Sequence, residues 1–347
     1  MHVLYDTLSI SASKSGVGNY AINLIKNLLE LSDNLKITLL RCPFTQFKFF
    51  KDERVREVPY YSHLFNCGRF DLFHGLNCRV PFAIKCPKVV TIHDLLWFDD
   101  PKLGSTFFFR RFLEGHFFRY AINRSVQQCQ AIIAISDTSK HTIINRFPKL
   151  SSEIKTVYHG VDQEYFSSKN PALLTRAKLN SYIQDSLAYA LIYSHNSPNK
   201  NHAGMIKAFV SAFRDKPYYK LIIIRRYKRL DWELEKLLQE PTIAAKVIIL
   251  GYVSDPLLLN FIFYARMVLF ISHYEGFGIP CVEGMALGTP LIVSQPPALR
   301  EITGNAALHA DSTSIEDMKQ KMQILDSNDQ LRATLVNLGK QRATEFN

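Results

Sequence analysis

Short apolar runs alternate with stretches of helical periodicity along the whole chain, and this alternation constrains the fold more than any other feature. Runs of four to seven residues fall at 2–5, 37–40, 71–74, 88–92, 131–135 and 155–158, then at 188–194, 220–224, 246–250, 267–272 and 291–294. Apolar strands separated by amphipathic helices are what parallel sheets covered on both faces require. The two series are parted by DQEYFSSKNPALLTRAKLNSYIQDS (162–186), which is polar, poor in strand formers and carries Pro171. The expectation is two doubly wound α/β domains, 1–168 and 169–347, facing each other across a cleft. A last helix near 328–347 is a candidate to pack back toward the first domain. A length of 347 residues suits two domains of ordinary size.

Composition narrows the class. Hydrophobic residues make up 47% and charged residues 21% of the chain, enough to fill sizeable cores and too ordered a mixture for a disordered protein. No apolar run reaches membrane-spanning length, since Leu257 to Ser272 is interrupted by Arg266, and MHVLYDTLSIS reads as a first strand, not a signal peptide. The six cysteines show no CxxC pair and no metal-ligand spacing, which suits reduced thiols in cytoplasm. A net charge of +11 calls for anionic partners: nucleotides, nucleic acid or acidic lipid headgroups. The excess is concentrated in 101–150, where eight basic residues face two acidic ones. Within it, FFFRRFLEGHFFRYAINR (107–124) mixes aromatics with Arg110, Arg111 and Arg119 at helical spacing, so that 102–126 reads equally as an interfacial amphipathic segment or a core helix.

Ligands of doubly wound sheets bind at the carboxyl ends of the strands, so the informative residues should collect there. They do. In ISHYEGFGIPCVEGMALGTPLIVSQ (271–295) a strand breaks at Gly276 and Gly278 and a helix resumes at Pro280, which presents a helix N-terminus to the strand edge. Glu275 stands before that helix and Glu283 on its first turn; carboxylates accept hydrogen bonds from hydroxyls and do not bind phosphate. The stretch therefore reads as a cradle for a ligand carrying both phosphate and sugars. After the first strand, SKSGVGNYAINLIKNLLEL places Gly16 and Gly18 where backbone can approach a ligand, although a turn without any ligand fits equally. TIHDLLW puts His93 and Asp94 at a strand end, where His93 could donate to a substrate hydroxyl or titrate near neutral pH, or form a structural pair with Asp94. YALIYSHNSPNKNHAGMIKAF places Lys200 at a strand-to-helix junction, as a phosphate contact or a solvated lysine, and the loop after KVIILGYVSD could hold a flat base.

EGFGIPCVEGMALGTPLIVSQPPALREITGNAALHAD (275–311) closely resembles the carboxy-terminal signature of the retaining nucleotide-sugar glycosyltransferases of family 4, which have the GT-B fold. Glu275 and Glu283 meet its E-x7-E pattern. SGVGNYAINLI, TIHDL, AIIAISDTSKHTI, VYHGVD, SPNKN and LGYVSD follow in family order, so that the likeness spans about residues 1–345, and 70–166 looks most like mannosyl-type members that build bacterial surface polysaccharides. The resemblance implies two Rossmann-like domains and residue roles that agree with the physical reading. Glu275 would contact donor-sugar hydroxyls, Gly276, Phe277, Gly278 and Ile279 would line sugar and diphosphate, and Glu283 would hold the ribose. Lys200 would neutralise the leaving diphosphate, the Gly16 to Gly18 loop would close on it, His93 would face sugar and acceptor, and Tyr252 and Val253 would line the base pocket.

Two departures stand out. Ser194 and His195 replace the glycine and arginine common in relatives, and Asn199 stands where arginine is also common, so phosphate grip is weaker or Arg225 or Arg226 compensates. The sequence also ends at RATEFN, where relatives continue into a helix. The function implied is a metal-independent retaining hexosyltransferase, mannose favoured, using a nucleoside-diphosphate sugar and no cofactor. Its acceptor would be a glycan, lipid-linked, in surface polysaccharide or lipopolysaccharide synthesis at the inner face of the cell membrane. The rivals are a non-catalytic basic anion- or nucleic-acid-binding protein, against which stands the lack of any nucleic-acid motif, and a GT-B epimerase or phosphorylase.

Overall fold

The computed structural model describes residues 1–8, 16–42, 49–61, 69–81, 83–105, 108–166, 179–183, 188–195, 197–225 and 232–346, without the side chains of 108, 110, 180, 232 and 233. Residues 13–15 of the first glycine loop, most of the interdomain stretch and Arg226 lie outside them. The chain divides into two compact units: Met1–Pro101 with Phe107–His159, and Gly160–Asn347 with Lys102–Thr106. The units part earlier in sequence than the expected 168/169, and Gly160 to Phe166 go with the second.

The first unit is built on seven parallel strands: β1 (His2–Asp6), β2 (Lys36–Arg41), β3 (Val55–Pro59), β4 (Leu72–Gly75), β5 (Lys88–Ile92), β6 (Ala131–Ala134) and β7 (Glu153–Thr156), in the order 3-2-1-4-5-6-7. Helices α1 (Gly16–Leu31), α2 (Leu96–Asp99), α3 (Phe108–Gln128) and α4 (Asp137–Arg146) join them. One apolar layer packs Ala21, Ile25 and Leu29 of α1 on Val3, Tyr5, Ile37 and Leu39; the other packs Ile122 and Val126 of α3 on Leu4, Val90, Ile92 and Ile132. Successive side chains of a strand face opposite ways, so β1 feeds both layers and its central residues Val3, Leu4 and Tyr5 are apolar. Ser136 caps α4 by accepting from the Ser139 amide at 3.0 Å.

The second unit has six parallel strands: β8 (Ala188–Tyr193), β9 (Tyr219–Ile224), β10 (Val247–Leu250), β11 (Met267–Phe270), β12 (Leu291–Ser294) and β13 (Leu308–Ala310), in the order 10-9-8-11-12-13. Its helices are α5 (Asn180–Ile183), α6 (His202–Ala212), α7 (Trp232–Leu238), α8 (Pro241–Ala244), α9 (Asp255–Tyr264), α10 (Ile279–Leu287), α11 (Pro297–Thr303), α12 (Ile315–Ser327) and α13 (Asp329–Ala343). The helix expected near 328–347 is α13, capped by Asn328, and Gly339 rests on Met285 of α10 inside its own unit.

Two strands escaped the sequence reading. β3 (VREVP) is an edge strand with two adjacent charged residues, Arg56 and Glu57, at its centre, and β13 (LHA) is three residues long. In each sheet the order reverses once, between β1 and β4 and between β8 and β11. At such a switch point the loops leaving two neighbouring strands depart in opposite directions and leave a crevice between them.

The turn after β4 tests this packing. A Cβ added to Gly75 would collide with the Arg79 carbonyl oxygen, whereas one added to Gly16 meets nothing within 4 Å. Gly75→Ala should cost about 1–3 kcal/mol, the range for overpacking a tight site. Gly16→Ala should leave stability within about 0.5 kcal/mol. Urea unfolding of the two variants beside the parent checks both.

Candidate active site

The carboxyl edge of the second sheet gathers most of the predicted residues. β8 ends at Tyr193; the chain then runs through exposed His195 into a 3-10 turn, Pro198–Lys200, and enters α6 through Asn201, held at φ 52°. Asparagine tolerates this left-handed region better than most residues, and the Asn201 side chain donates to the Ser312 carbonyl at 2.9 Å. From the other side of the switch point, β11 leads into the loop that carries Glu275. Asn199 rivets the two loops. Its side-chain amide donates to the Tyr274 carbonyl at 3.1 Å, its carbonyl accepts from the His273 amide at 2.7 Å, and it is buried. Asn199 thus has a structural task that occupies its side chain.

The rivet brings Lys200 and Glu275 together across seventy-five residues of sequence. Lys200 Nζ donates to Glu275 Oε1 at 2.5 Å and lies 5.1 Å from the centre of the Phe270 ring. Both side chains are largely shielded, at 18% and 10% exposure, so the pair is of the kind whose charges matter.

Immediately after Glu275 the chain turns into α10. Gly278 occupies the N-cap at φ 106°, and a Cβ there would stand 2.6 Å from Leu299 Cδ2. Only glycine satisfies both conditions. Gly276 and Phe277 are buried, Ile279 opens the helix and Pro280 follows in its first turn. Glu283, one turn further, faces two tyrosines that the sequence reading missed. Tyr165, in the 3-10 turn Gln163–Phe166, and Tyr193, the last residue of β8, both hydrogen-bond its carboxyl, and Tyr193 Oη also reaches the Pro280 carbonyl at 2.7 Å. Burial raises the Glu283 carboxyl to about 7, working against the two tyrosine hydrogen bonds, which lower it. Burial likewise lifts both phenols above their ordinary range, with the Glu283 charge adding to the effect.

The remaining second-unit residues are dispersed along the same edge. Tyr252 is exposed and Val253 half-buried in the loop after β10. Arg225, at the end of β9, is buried, and with Lys200 and His195 it adds positive potential around His202. Burial first, then Arg225 and Lys200 with a contribution from His195, lowers His202 to about 3, so the ring is neutral and bonds Ser194 Oγ at 2.6 Å.

In the first unit, Gly16 and Gly18 open α1, Gly16 exposed and Gly18 buried. His93 lies just past β5 and stacks on His159 at 5.6 Å, with Tyr20 edge-on to both at 5.1 and 4.8 Å. Thr91 Oγ1 joins Tyr20 Oη and His74 Nε2, each at 2.9 Å. The structure corrects one expectation. Burial lowers His93 to about 4, and its Nε2–H donates to the Leu76 carbonyl at 2.9 Å. His93 therefore does not titrate near neutral pH and has no N–H left for a substrate hydroxyl; its Nδ1 can only accept. Asp94 Oδ1 caps the next turn, accepting from the Leu96 amide at 3.0 Å.

Two parallel, doubly wound units in one chain, the second with a lysine, two carboxylates and a glycine-opened helix at its switch point, define the GT-B architecture. Known proteins agree. Residues 14–165 match the family described as Glycosyltransferase Family 4, and residues 178–342 the family described as Glycosyl transferases group 1. O-antigen chain mannosyltransferase B of Escherichia coli is 26% identical over 278 residues, covering 79% of this chain and 70% of that protein. O-antigen chain mannosyltransferase RfbU of Salmonella typhimurium is 28% identical over 325 residues, covering 87% and 84%. Among solved structures, Anabaena HepE in complex with UDP-glucose superposes with a TM-score of 0.74 at 18% identity, covering 100% of this chain and 95% of that one. The chain has the GT-B fold, with a first half that matches the Family 4 model and a second half that matches the group 1 model.

The Glu283 cluster makes a pH prediction. Its folded value, about 7, lies above the ordinary 4.5. The folded state therefore holds a proton that the unfolded chain has released, and stability contributed by the protonated group falls as pH rises from about 4.5 through about 7. Glu283→Gln should flatten this slope and be the more stable protein at pH 8, by up to about 3 kcal/mol. Denaturant melts of both proteins between pH 5 and pH 8 check the sign.

Proposed function

We propose that the protein is a retaining, metal-independent mannosyltransferase that uses a nucleoside-diphosphate sugar to extend a lipid-linked glycan in surface polysaccharide synthesis, at the cytoplasmic face of the membrane. The observation that carries the reading is the Lys200–Glu275 pair beside the N-terminus of α10. Transfer breaks the bond between the anomeric carbon and the diphosphate and forms one to an acceptor hydroxyl. Negative charge grows on the leaving diphosphate while positive charge grows on the sugar ring. Lys200 and the α10 amides supply charge and donors for the first. Glu275, drawn away from Lys200 when a diphosphate competes for the ammonium, accepts from the sugar hydroxyls. This supply of positive charge by the chain itself is the argument for chemistry without a metal or cofactor.

Glu283 would hold the ribose hydroxyls, its orientation set by Tyr165 and Tyr193, and Tyr252 and Val253 would border the base. On the first unit, Gly16 and Gly18 would let backbone approach a ligand, and His93, neutral, would accept a hydrogen bond from a hydroxyl. Mannose is favoured because the two relatives above are named as O-antigen mannosyltransferases, and HepE, bound to UDP-glucose, supports a nucleotide-sugar donor through a common fold. No observation favours the nucleic-acid or epimerase readings.

Transfer assays with a panel of UDP-, GDP- and ADP-sugars test the proposal, with NMR of the product to read the anomeric configuration. Lys200→Ala and Glu275→Ala should each lower kcat/KM by about a hundredfold or more, the cost of removing a group that meets developing charge. Activity surviving both changes would sink the site, and loss of activity to a chelator would sink the metal-free route. Tyr193→Phe should act differently, weakening nucleoside-diphosphate binding by roughly tenfold with little change in kcat; calorimetry with the free nucleotide separates the two effects.

A further inference from the structure

The amino edge of the second sheet carries a cavity that the candidate active site does not use. The strands of this sheet pair in parallel, so β8 and β11 begin on the edge opposite Lys200 and Glu275. One strand length, roughly 13–20 Å, separates the two edges. At the amino edge a cavity of about 840 Å³ is bordered by Ala188 and Tyr219, which begin β8 and β9, and by Arg266 and Pro290, which precede β11 and β12. Small-molecule sites have this size. Doubly wound sheets take their usual ligands at the carboxyl edge, so the cavity is a separate place.

Its walls are of two kinds. Pro217, Tyr218 and Tyr264 supply flat apolar surface, and Tyr218 is 65% exposed. Lys216, Arg266 and Arg332 supply positive charge around the buried carboxylate of Asp326, whose oxygens accept from Lys216 Nζ at 2.5 Å and Arg266 Nε at 3.1 Å. Asp329 pairs with both arginines but is 84% exposed, where water screens its charge. The cations therefore outweigh the carboxylates that face them. Burial, then the charge of Arg266, lowers the Arg332 guanidinium. Both arginines are held in place, Arg266 by the Asp326 carbonyl at 2.8 Å and Arg332 by the Leu325 and Asp326 carbonyls at 3.0 and 2.8 Å. A guanidinium has five N–H groups, more than these bonds use. The tyrosine wall is fixed as well, because Lys246 Nζ donates to the Phe213 carbonyl at 2.6 Å and to the Lys216 carbonyl. Tying down the turn between α12 and α13 accounts for the arginines' carbonyl bonds, but not for the open space lined by tyrosines beside them.

We infer that this cavity is a second ligand site, which takes a small organic anion built on a flat ring. The anionic group, a carboxylate, sulfonate or phosphate, meets Lys216 and the remaining arginine donors and offsets the repulsion between Arg266 and Arg332. The ring lies against the tyrosines. A neutral ring leaves the excess charge uncompensated, and a cation adds to it. Nothing in this inference depends on the transfer reaction.

Calorimetry with anilinonaphthalene sulfonate, a flat-ring monoanion, tests it with no nucleotide sugar present. One molecule should bind per chain, and phenylnaphthylamine, the same ring system without the sulfonate, should bind at least roughly tenfold more weakly. Ala333→Trp, at an exposed position of α13 that lines the cavity, should fill the space and remove this binding. Lys216→Gln should weaken it on the order of tenfold. Both positions are open to solvent, and unchanged thermal unfolding would verify that the variants fold. Aromatic residues exposed elsewhere can attract the probe, so the result is read as the difference between parent and variant. Equal binding by the parent and Ala333→Trp, or by the parent and Lys216→Gln, would overturn the inference. So would equal affinity for the charged and uncharged rings, since the cations would then select nothing.

Discussion

The parallel pairing of β8 with β11 is the constraint on which the second unit's chemistry depends. Met267 and Val268 register against Ala190 and Leu191, although the connection between the two strands holds β9, β10 and three helices of more than one turn. Because both strands point the same way, the loops after them leave from one edge, and because the sheet reverses its order here, nothing in the sheet fills the space between them. Lys200 and Glu275 meet for that reason. The meeting is then fixed locally by Asn199, a polar residue whose burial is affordable because its amide and its carbonyl are both satisfied by the opposite loop.

The same edge manages two kinds of charge. At the end of β8, burial first, then the charges of Arg225 and Lys200 with a contribution from His195, keep His202 neutral. One turn into α10 the sign reverses, and Glu283 sits in surroundings that favour its uncharged form even though two phenols bond it. A lysine thus stands before the helix start and a carboxyl group beyond it. The two are joined by Gly278, whose positive φ and contact with Leu299 allow no side chain. A diphosphate attached to sugar on one side and ribose on the other has this order of functional groups.

How much of this could be read from the sequence depends on what each residue had to announce. The loop EGFGIP announced itself, because paired glycines followed by proline between an apolar strand and an amphipathic run have few other uses. The sheets were legible through their apolar runs, except where a strand was too short or broken by adjacent charges, as β13 and β3 are. Tyr193 and Tyr165 were not. Tyr193 closes a strand whose every other residue is core, so nothing in YALIY marks its hydroxyl, and Tyr165 sits in the polar stretch that reads as a linker. Their task arises only because a short turn folds against α10, a tertiary fact without a local signal. His93 shows the opposite failure: its position at a strand end was right, but its protonation depends on a carbonyl and two aromatic neighbours from distant segments.

That dependence has a consequence for the first unit. His74, His93 and His159 are each lowered by burial, and His93 further disfavours charge on the other two. His93 and His159 stack and all three rings are buried, so these imidazoles stay neutral across the physiological range. Their hydrogen-bonding pattern is also directional. Thr91 ties Tyr20 to His74, and Leu76 consumes the His93 N–H, which leaves an acceptor nitrogen in an aromatic surround. The positive charge of this unit is richest on α3, which carries four arginines and one glutamate.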